Sequence, residues 1–179
     1  EAIFMKILVI GGSSRREESR SNIVVDEVKK LFLEEAAVWK IAEKPLPLAE
    51  HAWHKNPSLS GDKFVIELAR EIETSGIIIL VSPIYNGSYT AHIKNALDCM
   101  DGAAFFGKTV VLVSVGSDST AILPALHLQD VARTMGGFVY PRFTVINQRQ
   151  INFENRTIDD DILNRIENIV SSAIKLNNT

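Results

Sequence analysis

Three short stretches of this chain are apolar at every position: Ile7-Leu8-Val9-Ile10, Ile77-Ile78-Ile79-Leu80-Val81 and Val110-Val111-Leu112-Val113. Each is rich in β-branched residues, and each runs into a small polar turn: Gly11-Gly12, Ser82-Pro83, and Ser114 with Gly116. A strand with one face in water alternates apolar and polar residues. A strand that is apolar throughout is buried on both faces, as in a parallel sheet covered by helices.

The segments between these runs change to a helical period. Val24, Val28, Leu31 and Phe32 share one helical face, and Phe64, Leu68 and Ile72 with Val65 and Ala69 share another. Ile93, Leu97 and Met100 form a third stripe, and Leu123, Leu126, Val131 and Met135 a looser fourth. Ile162, Ile166, Ile169, Val170 and Ala173 close the chain, with Thr157 and Asp160 spaced as a capping box. Weaker strands are expected at Val38 to Ala42 and Phe138 to Val145, the latter with Pro141, which suits an edge strand or a bulge. The order is then five βα units and a closing helix. The fold class is α/β: a doubly wound, five-stranded parallel sheet with helices on both faces. Residues 44–61, with Pro45, Pro47, Pro57 and Gly61, read as a long surface loop.

Composition narrows the function classes. The 179 residues suit one domain over 1–179 and bury a large core. A net charge of −3 with no basic stripe gives nucleic-acid binding no electrostatic support. One cysteine, Cys99, excludes an intrachain disulfide and a CxxC motif, so a cytoplasmic location is expected. The start has no apolar run of signal-peptide length, and no apolar run in the chain is long enough to span a membrane. Met5 is expected as the native start, with Glu1 to Phe4 a cloning remnant.

In open α/β sheets, ligands bind beyond the carboxyl ends of the strands. The first such loop runs from Gly11 to Asn22. A helix start offers backbone N–H donors, Ser13, Ser19 and Ser21 offer hydroxyls, and Arg15 offers a bidentate cation, which together suit a phosphate. The plainer alternative is a polar loop with Ser21 or Asn22 as an N-cap. The segment is neither GxGxxG nor a P-loop. The second loop holds Tyr85-Asn86-Gly87-Ser88, in which Asn-Gly permits positive φ and exposes backbone N–H groups, and Tyr85 and Tyr89 are placed to cover an aromatic ring. The third, Ser114 to Thr120, is a small-residue turn that Ser119 or Thr120 could simply cap.

Taken together, these segments resemble the NADPH-dependent FMN reductase family, whose fold is flavodoxin-like and which includes flavin, quinone, azo-dye and chromate reductases. The resemblance is carried by Pro83-Ile84-Tyr85-Asn86-Gly87-Ser88 followed by Ile93-Lys94-Asn95-Ala96-Leu97-Asp98. It is also carried by Gly12-Ser13-x-Arg15 with Ser19-Arg20-Ser21, which has one extra residue before Ser19, and by Ser114-x-Gly116 with Met135-Gly136-Gly137. His92 stands where the family has a small residue, and Ser117 to Thr120 lacks its second glycine cluster. The resemblance implies bound FMN and NADPH or NADH as electron donor. It implies a phosphate site at Ser13, Arg15, Ser19, Ser21 and Asn22, and a ring site at Pro83, Ile84, Tyr85, Asn86, Gly87 and Ser88, bordered by Ser114, Gly116 and Ser117. Backbone N–H groups of Asn86 to Ser88 would favour charge on the ring. No side-chain nucleophile is required, because the flavin carries the hydride chemistry. The implied activity is electron transfer through FMN to a small acceptor: a flavin, quinone, azo compound or metal oxyanion. The implied assembly is a homodimer or dimer of dimers, paired through the helix from Ala91 to Met100 and the apolar Ala103 to Phe106.

An electron carrier of the flavodoxin type is the alternative, but such carriers are strongly acidic and their phosphate loops lack arginine. A domain for another phosphate ligand is a further alternative, against which Tyr85-Asn86-Gly87-Ser88 argues. Other residues point to no site. His51 and His54 lie in a proline-containing loop without a nearby ligand set, and Cys99 reads as a buried helical residue. Asp159-Asp160-Asp161 complements a helix start. Trp39 and Trp53 suit either a subunit contact or a place beneath the long loop. Loops 44–61 and 147–156 are expected to shape the acceptor pocket.

Overall fold

A computed structural model describes residues 6–177, Glu34 by its backbone alone. The proposed start at Met5 lies outside the described residues. The chain runs β1 (Ile7–Gly11), α1 (Arg20–Phe32), β2 (Ala36–Lys40), α2 (Lys63–Glu73), β3 (Ile77–Pro83), α3 (Ala91–Asp98), β4 (Thr109–Gly116) and α4 (Leu123–Thr134). It continues through β5 (Phe138–Val139), β6 (Thr144–Asn147), a small antiparallel hairpin of β7 (Ile151–Asn152) and β8 (Thr157–Ile158), and α5 (Asp160–Asn177). The strands of the main sheet are parallel in the order β2-β1-β3-β4-β5, with β6 continuing beside β4 after β5. That is the flavodoxin-like doubly wound order, which places its switch point between β1 and β3.

The uniformly apolar strands behave as their composition demands. Successive side chains point to opposite faces. Leu8, Ile10, Ile78, Leu80, Val110 and Leu112 join one core with Leu68 of α2, Ile93 of α3 and Leu128 of α4. Ile7, Val9, Ile77, Ile79, Val111 and Val113 join a second core with Val24 and Val28 of α1 and Ile166 and Val170 of α5. The sheet is therefore a partition with a separate apolar layer on each side.

The weaker elements differ from expectation. β2 starts two residues earlier than the pattern indicates. The strand expected over 138–145 is split: Tyr140 N–H bonds to Val110 O at 2.8 Å, then the chain leaves the sheet around Pro141 and rejoins β4 at Thr144. Proline has no N–H to give the ladder, so the break falls where the sequence makes it cheapest. The long loop contains two single 3₁₀ turns, His51–His54 and Pro57–Ser60. Trp53 of that loop and Trp39 are both buried in the α2–α3–α4 core, so neither tryptophan lies at an exposed contact. The capping box at Thr157 does not form, because Thr157 pairs with Asn152 in the hairpin and the Asp159 carbonyl accepts from Ile162 and Leu163 at the start of α5.

Candidate functional site

β1, β3 and β4 are adjacent in the sheet and end at the same edge, so the three polar loops that follow them meet. The first loop is shaped from within. Ser19 is the N-cap of α1, in place of the expected Ser21 or Asn22; its Oγ accepts from Asn22 N–H at 3.2 Å and lies 3.0 Å from Ser21 Oγ. Asn22 Nδ2 donates to the carbonyls of Arg15 (2.9 Å) and Arg16 (3.2 Å), so Asn22 curls the loop from behind. Its Oδ1 is buried without a partner among the described residues. With those carbonyls turned toward Asn22, the N–H groups of Ser14, Arg16, Arg20 and Ser21 have no hydrogen bond among the described residues. Ser13 Oγ accepts from Arg15 N–H at 3.0 Å, which leaves its own O–H free to donate.

The three arginines of this loop differ in commitment. Arg16 Nε donates to Ala42 O at 3.0 Å, and the Arg20 guanidinium sits 5.5 Å from the Phe153 ring centroid. The guanidinium of Arg15 has no such partner among the described residues. The loop therefore presents backbone donors, a serine hydroxyl and one uncommitted cation at a helix start, the donor set an anion requires.

The second loop is a two-residue turn. Tyr85 and Ser88 exchange both backbone hydrogen bonds, 2.9 and 3.2 Å, around Asn86 (φ 49°) and Gly87 (φ 78°). Two consecutive positive φ values define a type I′ turn, which favours Asn-Gly. Ser88 N–H is thus taken by Tyr85, and of the three N–H groups expected to face a ligand, those of Asn86 and Gly87 remain. Tyr85 OH lies 3.3 Å from Ser14 Oγ and so bridges the first and second loops. Tyr89 instead packs against the α2–α3–α4 core. Pro83 ends β3, and Ile84 N–H extends the ladder to Val115 O at 3.0 Å.

Thr90 joins the first two loops. As N-cap of α3 its Oγ1 accepts from Ile93 N–H and donates to Gly12 O at 2.6 Å. Gly12 is required here by proximity: a Cβ on it would lie 2.2 Å from Ile93 Cδ1. Asn95, within the segment that carried the family resemblance, donates from Nδ2 to Pro47 O (2.8 Å) and accepts Ala49 N–H at Oδ1 (2.9 Å), strapping the long loop to α3.

The third loop is mostly turned inward. Ser114 Oγ donates to Ala121 O at 2.5 Å and is fully buried. A Cβ on Gly116 would meet Ala121 Cβ at 2.6 Å and Ile84 Cγ2 at 3.0 Å. Ser114 and Gly116 therefore support the site from below, and Ser117 is the exposed member of the three. The cap of the following turn is Asp118, in place of Ser119 or Thr120. Hydrogen bonds from the Thr120 hydroxyl and backbone, with a smaller one from Ser117, hold its carboxyl below the usual range.

Sequence reasoning missed two residues at this edge. Thr90 carries a legible signal, a threonine directly before a helical stripe. His127 carries none; its Nδ1 reaches Ser88 Oγ at 2.9 Å from α4. Two large clefts lie away from this edge, one of about 580 Å³ beside α2 and Phe106 and one of about 690 Å³ beside the Pro141 break and α5. No cluster of three His, Cys, Asp or Glu side chains suited to a metal occurs among the described residues.

A family model described as NADPH-dependent FMN reductase matches residues 5–150. The FMN-dependent NADPH-azoreductase of Staphylococcus aureus (strain USA300) is 30% identical over 140 residues, 76% of this chain and 74% of that protein. Among solved structures, the flavoenzyme NAD(P)H:(acceptor) oxidoreductase FerB from Paracoccus denitrificans superposes with a TM-score of 0.71 at 20% identity, covering 97% of each chain. The apo form of NADH:FMN oxidoreductase EMOB superposes with a TM-score of 0.69 at 20% identity, covering 95% of this chain and 88% of that one. At these identities the two structures establish the shared fold.

Proposed function

The chain belongs to the NADPH-dependent FMN reductase family and is an FMN-dependent NAD(P)H oxidoreductase; we propose that it acts as one domain, holds FMN across the three loops and passes electrons to a small acceptor. The acceptor class is a flavin, quinone, azo compound or metal oxyanion. When bound, FMN supplies the electron chemistry, taking electrons from the nicotinamide and releasing them to the acceptor.

The residues fit the group. The observation that carries the reading is the first loop, where unpaired N–H groups, the Ser13 hydroxyl and the uncommitted Arg15 guanidinium all lie in the one segment that leads from β1 into α1. Ser13, Arg15, Ser19 and Ser21 form the phosphate site, with Asn22 holding the loop that presents them. Pro83, Ile84, Tyr85, Asn86, Gly87 and Ser88 form the platform for the ring, where the N–H groups of Asn86 and Gly87 stabilise negative charge. Ser117 borders the ring, with Ser114 and Gly116 beneath it.

The chain works in the cytoplasm, which its single, buried cysteine supports. No helix among the described residues is long and apolar enough to cross a membrane. It pairs with a second copy through the segment from α3 to Phe106, as a homodimer or dimer of dimers. Ile93, Leu97, Met100 and Phe105 are buried in the chain's own core, so of the apolar residues expected at the contact Phe106 is the large one left exposed. Light scattering that returns one chain mass at micromolar concentration would refute the pairing. For the activity, NADPH or NADH bleaches the bound flavin anaerobically and an added quinone restores the colour. Failure of both nicotinamides would leave a flavin-binding electron carrier.

A further inference from the structure

Ser88 occupies a particular position in the type I′ turn. Its backbone N–H and C=O are both bonded to Tyr85, so the hydroxyl is the polar group it has left to offer. That hydroxyl lies 2.9 Å from His127 Nδ1, which approaches from α4 across 39 positions of sequence. A hydroxyl has one proton to aim. A neutral imidazole protonated on Nε2 accepts at Nδ1, drawing the Ser88 O–H toward itself and leaving oxygen lone pairs on the other side. An imidazolium donates from Nδ1 to the Ser88 oxygen and frees the O–H to donate elsewhere. A change of charge on His127 therefore reverses the hydrogen-bonding character of Ser88.

We propose that His127 is a positioning residue that acts through Ser88 and sets whether the Ser88 hydroxyl, at the end of the Asn86-Gly87 turn, donates or accepts toward the flavin ring. The inference rests on the reading that the ring lies against Pro83 to Ser88. The oxidised ring offers mainly acceptors at the edge such a turn would contact, so the donor state binds it better and affinity rises as pH falls. The surroundings leave this role to His127. The turn, Tyr85 to Ser88, carries no carboxylate, histidine, lysine or arginine. On α4 the nearest charged side chain is Asp130, one turn on and paired with Arg133 at 3.6 Å. In the turn before α4, Asp118 is held by Thr120.

Two measurements test this. In flavin-free protein, nitrogen NMR of the His127 ring at pH 8 should find Nδ1 unprotonated, and Ser88→Ala should remove that preference. Flavin titrations between roughly pH 5 and pH 8, the span in which imidazoles change charge, give the second readout. Riboflavin is the decisive probe, because the phosphate of FMN has its own ionisation near pH 6. Wild-type affinity for riboflavin should rise about 2- to 10-fold toward low pH, the equivalent of one hydrogen bond. His127→Gln should bind with a flat profile, Ser88→Ala should also be flat, and the double variant should show no further loss. A proton on Nδ1 at pH 8, or a pH step that survives in His127→Gln, would overturn the inference. Flavin binding with a flat wild-type profile would overturn it alone, whereas no flavin binding at any pH would overturn it together with the flavin reading.

Discussion

Arg15 differs from its neighbours by what it does not touch. Arg16 is bonded to Ala42 and Arg20 lies over Phe153, while the Arg15 guanidinium is uncommitted among the described residues. A charge-assisted hydrogen bond to a phosphate is worth about 1.5–3 kcal/mol. Arg15→Ala is therefore expected to weaken FMN binding roughly 10- to 150-fold, with riboflavin binding little changed and Arg16→Ala and Arg20→Ala costing less; fluorescence titration of the three variants checks the order. Cys99 carries a different prediction. Burial, with smaller contributions from Asp98 and Asp62, pushes its thiol from 9.0 up to about 11. The folded value lies above the unfolded one, so the stabilisation is complete below pH 9 and is lost as pH climbs through about 11. The urea midpoint of the wild type should fall across that interval by more than that of Cys99→Ala. These residue-level roles were unevenly legible. That Ser13, Arg15 and Ser19 lie together between β1 and α1 was legible, because a strand pattern and a helical pattern flank them. The inward turn of Ser114 and the reach of His127 depend on neighbours distant in sequence, which no local pattern encodes.

Gly12 shows what happens when two elements share one space. A Cβ there would stand 2.2 Å from Ile93 Cδ1 and 2.3 Å from Ile93 Cγ1, and Thr90 already bonds to the Gly12 carbonyl. Gly12→Ala should push α3 away from the first loop and cost about 1–3 kcal/mol. In an Ile93→Ala background the same substitution should cost less, which thermal unfolding of both single variants and the double would measure as a coupling between the two sites. At this scale the sequence was most readable where burial is complete. β1, β3 and β4 are apolar on both faces and announce themselves, and the amphipathic stripes of α1, α2 and α5 follow from one buried side. β2 is shifted because its register comes from pairing with β1, not from its half-buried composition. The β7–β8 hairpin is too short for any periodicity, and the 3₁₀ turns of the long loop depend on Trp53 entering the core and on Asn95 holding the strap.

For the whole molecule, the doubly wound parallel sheet and the placing of three polar loops at the carboxyl ends of its strands were both legible, because alternation of strands and helices leaves few ways to wind a parallel sheet. The division of helices between the faces was not, since it depends on which way each crossover turns. That division, α2, α3 and α4 against one face and α1 and α5 against the other, has a consequence for how the protein tolerates change. Ile72 and Ile166 lie in cores separated by the sheet. Ile72→Val and Ile166→Val should each cost about 0.5–1.5 kcal/mol, and the double variant should cost their sum within about 0.5 kcal/mol, as expected for sites without shared neighbours. Urea unfolding of the three variants reads this directly, and a large departure from the sum would mean that strain crosses the strands. Independence of this kind gives the chain two separate fields for variation. Substitutions can accumulate around Leu68 and Ile72 of α2 while the layer under α1 and α5 keeps its packing unaltered.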